Sequence, residues 1–295
     1  MTSVIHLPPK HPAVLEYLPN NEDITEADFY GFTISLARHL NLTSVPKSIR
    51  RFQHGWFWWH PLHDEKLTAY LALTGERGII VQDCNYSKYL TKAGVFSIAC
   101  GLPFIAYRKY LSSAPIYERK GLLYVPMHSS PGADYSEHIV SEVEAFSEIH
   151  TEFSLLLSVS DLSLIDKLSR YTQKIYLGAG SKEIHSLERL EYAFASHEYV
   201  CTTNMGSHVF YAAACGCKVY LQGLKEIENK FDLDLIATGR YGDWYKSVVY
   251  TEPYLKIKFP ELLRRNGSSG AVYQDFPEVA DVNPKLLALA LGWPL

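Results

Sequence analysis

A chain of 295 residues with 47% hydrophobic and 20% charged content has enough apolar mass for one large domain or two ordinary ones, and nothing in this composition suggests disorder. Lysine and arginine total 28 against 32 aspartate and glutamate, a formal charge of −4. The basic residues are dispersed in pairs, so composition carries neither a nucleic-acid footprint nor a polybasic membrane segment. No run approaches the roughly eighteen apolar residues that cross a bilayer, and five cysteines without a secretory signal point to free thiols in the cytoplasm.

Asp28 to Leu40 has a helical pattern, and Arg51 to Gln53 is a short extended segment that runs into His54-Gly55 and the aromatic stretch Trp56-Phe-Trp-Trp59. His54 has two readings. It is an acid, base or phosphate ligand with neighbouring aromatics stacked on a sugar or base, or it is a hydrogen-bonded histidine in a hydrophobic plug. Gly78 to Asp83 is a strand that leaves the Asp83 carboxylate at its end, as a general base or as a turn former beside Asn85. Val95 to Ala99 is another strand, ending in Gly101-Leu-Pro103. The polar segment Arg108 to Lys120 then reads as a linker between an N-terminal α/β domain, residues 1–112, and a second domain, residues 113–282.

Beyond Gly121, strands are predicted at Leu122 to Pro126, Phe153 to Val159, Lys174 to Leu177, Tyr199 to Thr203 and Lys218 to Leu221. Between them Ser136 to Ile149 carries Ile139, Val143 and Phe146 on one helical face. Ser160 or Asp161 caps a helix with Leu164, Ile165 and Leu168, and Leu187 to Phe194 repeats the pattern with Glu188 and Glu191 elsewhere on the helix. Strands alternating with helices predict an α/β fold with a parallel, doubly wound sheet, whose ligands bind beyond the carboxyl ends of the strands.

Candidate binding residues fall at those ends. His128-Ser129-Ser130 follows the first of these strands and has the donors to hold an anion. Gly178-Ala-Gly180 is a small turn that lets a nucleotide base or ribose approach. Thr203, Asn204, Gly206 and Ser207 lie between a strand and an Ala-rich helix, where N–H groups and the helix dipole collect anions; the competing reading is a plain helix cap by Thr203 or Asn204. His208, at the second helical position, is favoured as a neutral imidazole. Asp232-Leu-Asp234 has the shape of an acidic pair that holds a divalent metal on diphosphate but is common by chance in a Leu-rich pattern, Cys215-Gly-Cys217 cannot by itself complete a zinc site, and no bound metal or cofactor is expected.

Taken together, His54-Gly55, Gly101-Leu-Pro103, the strand ending at His128 and the unit from Glu188 to Val219 resemble glycosyltransferases of the B type. The resemblance is strongest to enzymes of bacterial capsule and lipopolysaccharide assembly. It implies two facing Rossmann-like domains with a cleft between them, and a C-terminal helix, residues 283–295, packed back on the first. It also implies metal-independent transfer of a sugar from a nucleotide-activated donor to a carbohydrate or lipid-linked acceptor. His128, Ser129, Ser130, Gly178, Glu188, Thr203, Asn204, Gly206, Ser207 and His208 would hold the donor, and His54 or Asp83 would deprotonate the acceptor. Peripheral association with an assembly complex at the inner membrane is a further implication. Another group transferase, a sugar-nucleotide epimerase and a non-catalytic nucleotide-sugar binder remain alternatives on the same scaffold.

Overall fold

A computed structural model describes residues 3–5, 30–53, 77–82, 84–92, 94–129, 132–180, 183–203, 206–221, 270–271 and 282–294. The larger sheet contains β1 (Ser3–Ile5), β5 (Leu122–Val125), β6 (Ser154–Leu157), β7 (Lys174–Leu177), β8 (Tyr199–Thr202), β9 (Lys218–Leu221) and β10 (Gly270–Ala271). Their order is β1-β7-β6-β5-β8-β9-β10, all neighbours parallel except the antiparallel pair β9–β10. A smaller parallel sheet has β2 (Arg51–Phe52), β3 (Ile79–Val81) and β4 (Ser97–Ala99) in sequence order. Among the described residues, no helix is long and apolar enough to cross a membrane.

Strand alternation sorts side chains onto two cores. Tyr124, Leu155, Leu157, Ile175 and Cys201 pack under α4 (Ser136–Ile149), whose Ile139, Val143 and Phe146 form the predicted stripe. Leu123, Val125, Leu156, Tyr176, Val200 and Val219 lie on the opposite face beneath α6 (Ser186–Ala195) and α7 (Ser207–Ala214). Helices on both faces of a parallel sheet make it doubly wound. The Ala-rich α7 ends at Gly216, whose positive φ supplies the left-handed residue that stops a helix.

That second core also takes in Phe32, Ile34 and Leu36 of α1 (Phe32–His39), together with Phe52, Ile80 and Phe104. The α2 helix (Cys84–Lys92) covers the other side of the small sheet through Leu90. The α3 helix (Pro103–Ala106) continues into a π turn at Tyr107–Leu111. Leu287, Ala288, Leu291 and Trp293 of the C-terminal segment, with α8 (Pro284–Leu291), complete the cluster. Ile49 N–H donates to Leu291 O, and the Trp293 indole donates to Ser48 Oγ, each at 2.9 Å.

Two local readings change. The segment after β6 is a 3₁₀ turn, Val159–Leu164, followed by the short α5 (Ile165–Leu168), and its cap is Ser158, whose Oγ accepts from Ser160 N–H at 3.2 Å. Asp161 is a partner of a different loop. Glu188 and Glu191, expected away from the apolar stripe of α6, are both buried because that helix is enclosed by the sheet on one side and α3 with its π turn on the other.

Candidate functional site

The strand order fixes where a crevice opens. From β5 the chain winds outward through β6 and β7, then returns past β5 to β8 and β9, so successive connections leave β5 and β8 on opposite faces of the sheet. In open parallel sheets this reversal is the ligand site. Val125 and Thr202 are paired neighbours at the two carboxyl ends, which sets the Pro126–Ser129 loop beside Thr203 and the Gly206–His208 start of α7.

Glu142, on α4, ties these two loops together. Its Oε1 accepts from the Tyr124 hydroxyl at 2.7 Å and from the Thr203 hydroxyl, while its Oε2 accepts from Met127 N–H at 3.4 Å. His138 Nε2 stands 3.9 Å from the same oxygen, and the Glu142 side chain is only 8% exposed. The buried Asp161 carboxylate fastens the β5 loop from the other side by accepting Ser129 N–H at 3.1 and 3.3 Å. Ser129 Oγ in turn accepts Tyr135 N–H at 3.0 Å, which leads the chain into α4. These carboxylates hold the crevice walls in one shape before any ligand arrives.

The helix side of the crevice begins at Gly206. It is the N-cap of α7 and has no side chain to bond the first turn, so Thr203 does not cap the helix. Thr203 gives its hydroxyl to Glu142 instead. His208 Nε2 lies 3.0 Å from Thr202 Oγ1 and its ring covers Gly206, where an added Cβ would come within 2.7 Å of Nδ1. The Ser207 hydroxyl bonds the buried phenol of Tyr211. Across the crevice, the exposed His128 sets Nδ1 2.9 Å from its neighbour's carbonyl, Ser129 O, which leaves Nε2 for a ligand.

No family model and no curated protein sequence matches this chain. The site therefore has to be read from its own chemistry.

Of the sequence candidates, His128, Ser129, Thr203, Gly206, Ser207 and His208 are brought together at the β5–β8 crevice. Gly178 and Glu188 belong to a second group, linked through Arg189, whose Nε donates to Gly178 O at 3.0 Å. That group stands at the end of β7, three strand spacings or about 14 Å from β8. Burial pushes the Glu188 carboxyl up to about 7, against the opposing pull of Arg38 and Arg189. Its Oε2, and Nδ1 of neighbouring His185, have no hydrogen-bond partner among the described residues. His54, Asp83, Ser130, Asn204 and the Asp232-Leu-Asp234 pair lie outside the described residues.

The residues that sequence reading missed are Glu142, Asp161 and Tyr124. Glu142 left a signal, since it stands three residues after Ile139 and four before Phe146, on the apolar stripe where a carboxylate needs a reason. Asp161 was noticed only as a cap. The segment expected to be a linker is also fastened: Arg108 and the Ser112 hydroxyl each bond Glu191 at 2.6 Å, and Arg119 donates to Gly216 O at 2.8 Å.

Proposed function

We propose that the protein is a glycosyltransferase of the B type that binds a nucleotide-activated sugar at the β5–β8 crevice and transfers the sugar to a carbohydrate or lipid-linked acceptor. The observation that carries this reading is the doubly wound order β7-β6-β5-β8-β9 with His128, Ser129 and the amino end of α7 meeting at its reversal. In this reading the donor phosphate rests against the first turn of α7, favoured by the helix dipole, and His128 Nε2 meets it from the β5 loop. Ser129 contributes its hydroxyl alone, since Asp161 takes its N–H. Glu188, with a buried oxygen that has no partner among the described residues, accepts a hydroxyl of the donor's ribose.

Transfer then requires a base for the acceptor hydroxyl, which this reading assigns to His54 or Asp83 in a first domain facing the second across a cleft. The helix dipole and His128 offset charge on the departing phosphate, so no metal is needed for that step. Calorimetric titration with CMP, UDP, GDP and CDP tests the assignment. One nucleotide is expected to bind saturably, with affinity at least about tenfold weaker in His128→Ala and in Gly206→Ala, whose new Cβ displaces His208. Unchanged binding in both variants, with their melting intact, moves the nucleotide elsewhere and removes the basis for the transferase.

A further inference from the structure

The C-terminal helix leaves an apolar face outward at a place where the surface is basic. Leu286 and Leu289, one helical turn apart on α8, are 51% and 53% exposed. Ile49 and Phe96 add exposed apolar surface. Arg50 joins these segments into one patch: Nη1 donates to Ala290 O at 2.9 Å, Nε donates to Arg77 O at 2.8 Å, and the guanidinium lies 5.1 Å from the Phe96 ring centre. Ile49 packs against Gly292 just beyond α8.

Among the described residues around the patch the charges have a single sign. Lys47, Arg77 and Lys285 are exposed and Arg50 is half-buried, while residues 45–51, 77–82, 94–99 and 282–294 contain no aspartate or glutamate. In a chain of net charge −4 this is a local excess of cations. A second copy of the chain is a poor occupant, because a two-fold contact would set cation against cation. Apolar tips ringed by lysine and arginine match the boundary of an anionic bilayer, where leucine and phenylalanine enter the acyl region and the cations meet phosphate headgroups.

We propose that the patch formed by Ile49, Phe96, Leu286 and Leu289 with Lys47, Arg77 and Lys285 docks the protein on the surface of an anionic membrane. Nothing in this rests on the nucleotide reading, and either can fail alone. The test is co-flotation of the full chain with vesicles of phosphatidylcholine, or of equal parts phosphatidylcholine and phosphatidylglycerol, with free polyglutamate as a separate ligand. Binding is expected to the anionic vesicles only and to weaken with added salt. Lys285→Gln with Arg77→Gln should lower partitioning by about 25-fold, at about fivefold per cation, and Leu286→Ser with Leu289→Ser by at least about tenfold. Unchanged urea midpoints in both variants assign the losses to docking. Absence of flotation, flotation indifferent to phosphatidylglycerol or to these substitutions, or capture by polyglutamate without flotation overturns the membrane assignment, the last in favour of an acidic protein partner.

Discussion

Glu188 has the most consequential protonation among the buried carboxylates. An unfolded glutamate ionises near 4.5, whereas burial raises Glu188 to about 7 in the fold. Between those values the native state keeps a proton that the unfolded chain has released, so stability falls as pH rises through that window. The full contribution is present below 4.5, and about 3 kcal/mol of it is gone at pH 7. Glu188→Gln is expected to flatten this limb and to raise stability at neutral pH. Urea unfolding at several pH values across the window checks it, and equal slopes in both proteins would show that Glu188 is not the titrating group. The sequence revealed the residue but not its state, because an acidic residue off the apolar stripe is ordinarily solvated and only the layer above α6 buries it.

At the scale of elements, the entry into α1 depends on close approach. Tyr30 and Gly31 both have positive φ, and a Cβ on Gly31 would overlap the carbonyl oxygen of Ile184 just before α6. Gly31→Ala must strain the backbone and also separate the two elements, at a cost of about 2 to 4 kcal/mol. Gly121→Ala, with the same hand of φ and open space around it, should cost only the backbone share, about 1 to 2 kcal/mol. Comparing their denaturation midpoints isolates the contact. Helix positions themselves were legible: the Ile139, Val143, Phe146 period located α4, and Gly216 marked the end of α7. The caps were not, because Asp161 and Thr203 are engaged by other loops, which leaves Ser158 and Gly206 at the cap positions.

At the scale of the whole molecule, the C-terminal segment is joined to the segment that leads into β2. Trp293 is 2% exposed and reaches Ser48 across a separation of 245 residues. Trp293→Ala should cost about 3 to 5 kcal/mol through the cavity it leaves, and Ser48→Ala about 1 to 2 through an unpaired indole N–H. Equilibrium unfolding measures both, and a transition unchanged by Trp293→Ala would mean that α8 is not part of the cooperative core. The sequence by itself determined the α/β class, the parallel winding and the strand ends that carry His128 and Thr203, because period-two and period-3.6 patterns and helix-stopping glycines are local properties of the chain. Only the tertiary structure decided that β5 and β8 are neighbours, that Glu142 and Asp161 lock their loops, and that Arg50 gathers an apolar and basic patch around α8. Those facts join residues 18 to 240 positions apart, and no local pattern encodes which distant partner a strand edge or a buried carboxylate will meet.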